Sequence, residues 1–172
     1  LTGDILLDAL VGALFAMVSY SSLAAVLLTA TLAGAGVISL PVAIGLVIGA
    51  NIGSGILAFL STSMQNAAGR QVALGSLLYK LIGLLLIIPV LDPLVHWIDS
   101  LDFSPQEMVI GFHLLYNTAR CLILLPSVGP MARLCAWLLP ERPELNGTAK
   151  PRHLDPTALV TPSLALANAA RE

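Results

Sequence analysis

Apolar residues dominate most of the chain and fall into five blocks, at about 5–18, 23–35, 41–60, 72–91 and 108–125. A helix that crosses a bilayer needs about 20 apolar residues. The last three blocks meet that length and the first two do not. The first two are together too long for one crossing, and Ser19-Tyr20-Ser21-Ser22 lies between them. Two half-helices meeting at a polar turn describe a re-entrant hairpin, at about 4–36. Such backbone is tolerated at membrane depth only against protein or a watery cavity. The competing reading is one long tilted helix whose serines bond its own carbonyls.

The third block carries an interruption, Gly49-Ala50-Asn51-Ile52-Gly53-Ser54-Gly55. Each glycine weakens a helix by about 1 kcal/mol relative to alanine, and a carboxamide in hydrocarbon needs partners. The pattern favours a locally unwound helix over a seam of small residues packed on a neighbour. The fourth and fifth blocks echo each other: Leu77-Leu78-Tyr79 precedes Pro89 as Leu114-Leu115-Tyr116 precedes Pro126. The expected spanning helices are therefore 41–60, 72–91 and 107–126, followed by a short amphipathic helix at 129–139 and a linker at 140–153.

Composition agrees. The 172 residues are 57% hydrophobic and 10% charged, against about 25% charged in soluble domains. Positions 9–69 hold no Asp, Glu, Lys or Arg at all. The expected fold is an all-α membrane protein, a transmembrane bundle with a re-entrant hairpin. The net charge of −2 and the scattered basic residues exclude a nucleic-acid partner; the expected partner is membrane lipid. Cys121 and Cys135 read as small membrane hydrophobes. The chain opens at Leu1 and stops at Glu172 inside a helical pattern, so a piece of a longer protein is expected.

Charge also assigns sides. Arg70 follows the third block, and Arg133, Arg142, Lys150 and Arg152 follow the fifth. Asp92, Asp99, Asp102 and Glu107 lie between the fourth and fifth. The positive-inside rule puts the Arg70 loop and the C-terminus in the cytoplasm. The hairpin then enters and leaves from the outer side.

Polar residues within the membrane are costly and usually face a cavity or a partner. The candidate ion- and substrate-binding residues are Ser19, Tyr20, Ser21, Ser22, Asn51 and Ser54. Half-helix N-termini attract anions, while freed carbonyls and hydroxyls suit a small hard cation such as sodium. The blocks read as free of carboxylates, which favours sodium over protons as the coupling ion. His113, Asn117 and Arg120 share one helix face and line a cavity in this reading. Arg120 either draws an anion there or, the favoured alternative, snorkels to the cytoplasmic surface. Lys80 has no assigned role. No metal cluster, phosphate loop or nucleophile motif is present, so neither an enzyme nor a bound cofactor is expected.

These residues resemble the bacterial sodium/phosphate cotransporter family of type II. Tyr20-Ser21-Ser22-Leu23-Ala24 stands where that family has Gln-Ser-Ser-Ser-Ala, and the 49–55 segment where it has Gly-Ala-Asn-Ile-Gly-Thr-Thr. Leu77-Leu78-Tyr79-Lys80-Leu81-Ile82-Gly83 resembles a stretch ending Phe-Asn-hydrophobic-Ile-Gly. Phe112-His113-Leu114-Leu115-Tyr116-Asn117 is similar to a His-Thr-hydrophobic-Phe-Asn helix. The resemblance implies sodium-coupled symport of phosphate at the bacterial inner membrane, with sodium and phosphate as transported ions. It implies that this is the second of two inverted repeats, the first being its missing partner. Residues 154–172 would then open a cytoplasmic PhoU-like helical domain. Tyr20, Leu23 and Gly55 depart from the family pattern, which leaves another small anion, or a non-transporting phosphate sensor, as alternatives.

Overall fold

The computed structural model describes residues 4–141 and 161–170, and all regular elements among them are helical. Helix α1 is Ile5–Val18, α2 Ser22–Gly34, α3 Leu40–Ser61, α4 Ala67–Ile87, α5 Leu91–Asp99, α6 Pro105–Leu124 and α7 Val128–Leu138. A separate helix, α8, is Pro162–Ala169 and belongs to a second unit. Most of the expected linker, and residues 154–160 and 171–172, lie outside the described residues.

Three helical runs are long and apolar enough to cross a membrane: Leu40–Ser61, Ala67–Asp99 and Pro105–Leu138. The first is α3, which forms the core of the unit, with positions 42–51 buried without a break. The other two are bent rather than straight. Pro89 and Pro126 each sit in a 3-10 turn, Ile88–Val90 and Leu125–Ser127, because proline removes an amide and clashes with the preceding turn. The echo in the sequence is thus an echo in shape.

The hairpin is present as two short helices. Asp4 caps α1 through the amides of Leu6 and Leu7, and Ser21 caps α2 through the amide of Ala24 at 3.1 Å. Between them Tyr20 takes a left-handed conformation, φ +54°. Ala16 and Ala25, one on each side of the turn, both pack on Ala50 near the middle of α3. The turn therefore stops partway along α3, beyond Ala50 on the side of Asn51 and Ser54.

The unwound segment expected at 49–55 is absent: α3 is helical throughout. Gly45, Gly49 and Gly53 form a stripe at four-residue spacing that faces α1. A Cβ on Gly49 would overlap the Ala9 carbonyl, one on Gly53 the Ala13 carbonyl, and one on Gly12 the Leu46 carbonyl. Close contact between two backbones holds these glycines helical and offsets their propensity cost. The carboxamide of Asn51 finds its partner in the same helix, donating to the Val47 carbonyl at 3.1 Å.

Helix α1 runs parallel to α3, and α2 returns along α3 and α6. Gly34 at the end of α2 meets Gln106 at the start of α6. Helix α4 starts at Ala67, earlier than expected, because Asn66 caps it through the amide of Gly69 at 2.9 Å. Arg70 is thus in its first turn rather than in a loop. Helix α7 folds along α4, and Gln71 donates to the Leu139 carbonyl at 2.9 Å. One end of the bundle gathers Asp4, Asp92, Asp99, Asp102 and Glu107, and the other gathers Arg70 and Arg133.

Candidate functional site

The polar residues predicted from the sequence divide into two groups. The first is the hairpin turn. Ser19 Oγ lies 2.8 Å from the Phe15 carbonyl and 3.1 Å from that of Ser21, so this hydroxyl closes the end of α1. The carbonyls of Phe15, Ala16 and Met17 receive the amides of Ser19, Ser21 and Tyr20. The carbonyls expected to be free for a cation are thus largely satisfied by the turn itself. Ser21 is the cap, and Ser22 is the first residue of α2, half-buried. The Tyr20 side chain is exposed.

The second group lies where α3, α4 and α6 meet, and its centre is a residue the sequence left without a role. Lys80 Nζ donates to Ser54 Oγ at 2.9 Å, and Ser54 Oγ donates onward to the Asn51 carbonyl at 2.8 Å. The lysine stem has room because position 55 is glycine: a Cβ there would stand 2.9 Å from Lys80 Cδ. One turn along α4, Gly83 does the same for Arg120, whose Cδ lies 2.6 Å from the Cβ site.

Arg120 does not snorkel. Its Nη2 donates to Asn117 Oδ1 at 2.9 Å, and its guanidinium lies 5.7 Å from the Tyr116 ring centroid, a cation–π distance. Tyr116 is fixed by stacking on Phe112. Asn117 in turn donates to the His113 carbonyl at 2.8 Å and lies 3.3 Å from His113 Nδ1. His113, Asn117 and Arg120 are therefore connected, as their spacing predicts. A cavity of about 530 Å³ between α4, α6 and α7 reaches Arg120 but not His113 or Asn117, and is lined by Gln71, Tyr79, Cys121, Met131 and Cys135 among others.

The electrostatics are one-sided. Among the described residues, no carboxylate pairs with Lys80 or Arg120. Arg120 Nη1 is buried with no hydrogen-bond partner among those residues. Two cations at membrane depth without a counter-ion are costly and leave the site complementary to an anion.

A carboxylate that the sequence reading passed over lies elsewhere. Asp8 sits inside α1, buried at 1% exposure against Gly45, and its Oδ1 has no partner among the described residues. The blocks are therefore not free of carboxylates, as expected above. The signal for Lys80 was legible, being a lysine within an otherwise charge-free span; its partner Ser54 was not.

A short hairpin beside helices long and apolar enough to cross a membrane, with a cation-rich polar centre among them, defines a helical membrane protein. The chain belongs to the Na+/Pi-cotransporter family, whose model matches residues 1–115. Over all 172 residues it is 61% identical to the "Putative inorganic phosphate export protein YjbB" of Escherichia coli K12, and equally to that of Salmonella typhimurium LT2. It is 26% identical over 133 residues, 77% of this chain and 43% of the relative, to the uncharacterized protein YqeW of Bacillus subtilis. The chain spans about a third (32%) of the length of the YjbB relatives. No solved structure matches it.

Proposed function

We propose that this chain is one repeat of a carrier that moves inorganic phosphate across the bacterial inner membrane, coupled to sodium. The observation that carries the reading is the pair of uncompensated cations, Lys80 and Arg120, beside Ser54 and Asn117. Phosphate supplies the missing negative charge, and the unpartnered Arg120 Nη1 is the donor it can accept from. Ser21 and Ser22 at the hairpin turn would contribute from α2, which packs along α3. Sodium would bind near the turn through lone pairs of the Ser19 and Ser22 hydroxyls, since the α1 carbonyls there are largely satisfied. Alternating access would move this repeat against the other, supplied by the rest of the protein.

The separation of acidic and basic ends supports a cytoplasmic C-terminus. A PhoU-like domain would follow there. Neither catalysis nor a resident cofactor enters this reading. A second reading, outward rather than inward movement, is favoured by the name carried by the 61%-identical relatives. Radiolabelled phosphate flux by the full-length protein in liposomes tests both. The sodium-coupled reading requires flux that follows an imposed sodium gradient. Absence of phosphate flux in either direction sinks the proposal.

A further inference from the structure

The contact between Lys80 and Ser54 has the form of a cation site already filled. Ser54 Oγ has its proton committed to the Asn51 carbonyl at 2.8 Å and presents its lone pairs to the Lys80 ammonium at 2.9 Å. A hydroxyl oxygen held in that orientation is what a small hard cation would otherwise use. We propose that Lys80 is a tethered cation that takes this position in place of a free sodium ion. With Arg120, it supplies from the chain itself positive charge that balances an anionic substrate. This rests on the reading of the site as one for phosphate, and it concerns how many sodium ions that phosphate needs.

Three observations support it. Glycine at 55 clears the path of the lysine stem and glycine at 83 that of the arginine, so both cationic stems lie where the neighbouring backbone makes room. Among the described residues, neither cation has a carboxylate partner, so their charge is not spent inside the unit. The sister helix repeats Leu-Leu-Tyr at 114–116 and follows it with the neutral Asn117 where α4 has Lys80. A neutral polar residue is therefore compatible with this helical design, and the charge at 80 is an addition to it.

The test uses the full-length protein as wild type, Lys80→Asn and Gly55→Ala. The second variant keeps the lysine but displaces its stem, and it meets mainly the flexible end of that side chain. Thermal unfolding is compared in sodium chloride and in choline chloride at equal ionic strength. The sodium-to-phosphate flux ratio is measured in liposomes. Both variants should gain a sodium-dependent stabilisation larger than that of wild type, and Lys80→Asn should carry more sodium per phosphate. An unchanged sodium response in both variants overturns the tethered cation. So does a Lys80→Asn flux that no sodium concentration restores, which would make Lys80 a direct ligand of the anion. If wild type moves no phosphate, the functional reading fails, and the unfolding comparison still decides this proposal.

Discussion

Lys80 on α4 reaches across to α3 and donates to the Ser54 hydroxyl at 2.9 Å, tying two spanning helices together through a charged hydrogen bond. The bond is partly buried, and the hydroxyl is already anchored to its own helix. Ser54→Ala, Lys80→Met and the double variant form a cycle that isolates it. Equilibrium unfolding in detergent should give a coupling of about 1.5 kcal/mol, the low end for charged hydrogen bonds. Additive effects would mean that the contact is not formed in the protein.

Gly49 and Gly111 both lie within apolar helices but differ in what faces them. A Cβ on Gly49 would overlap the Ala9 backbone, whereas one on Gly111 meets nothing within 4 Å. Gly49→Ala should destabilise by about 1–3 kcal/mol through overpacking and should loosen α1 from α3. Gly111→Ala should stabilise by up to about 1 kcal/mol through helix propensity. Thermal unfolding of the two variants side by side checks the opposite signs, and a destabilising Gly111→Ala would contradict the open space beside it.

The contrast between these glycines also shows what the sequence made legible. The spans at α3, α4 and α6 and the two half-helices follow from apolar length and from the polar turn at 19–22. Those signals are local. Whether Gly49 and Gly53 break a helix or seat a neighbour is not local: it depends on Ala9 and Ala13, some forty positions earlier in the chain. The propensity cost of glycine is a local property, whereas the backbone contact that offsets it is not. The candidate site divides in the same way. The row His113, Asn117 and Arg120 follows from helical spacing. The inward turn of Arg120 depends on Tyr116 beneath it and on the room left by Gly83. Lys80 and Ser54 are 26 positions apart on different helices, so no periodicity joins them.

Tyr20 is held at φ +54° in the hairpin turn, a region that costs an ordinary side chain about 1–2 kcal/mol. Its ring is exposed, so little packing is lost on replacement. Tyr20→Asn and Tyr20→Gly should therefore raise stability by about 1 kcal/mol, and Tyr20→Ile should lower it, since a β-branched residue fits that region worst. The order Gly and Asn above Tyr above Ile in unfolding temperature checks the turn. An Ile variant as stable as the Asn variant would show that residue 20 is not left-handed.

Arg120 is the residue whose loss should most directly weaken an anion. Its Nη2 is bonded to Asn117, while its buried Nη1 has no partner among the described residues and is the donor left for a substrate oxygen. Arg120→Gln keeps a polar group of similar reach but removes the charge. Loss of one charge-assisted hydrogen bond of about 2 kcal/mol corresponds to roughly thirtyfold in phosphate affinity. Arg120→Lys should fall between the two, because the charge remains while the planar fork that bonds Asn117 and lies over Tyr116 is lost. The half-saturating phosphate concentration for flux by the full-length protein gives this order. Arg120→Gln at wild-type affinity would place the anion away from α6 and leave the buried Nη1 as a structural cost without a function in binding.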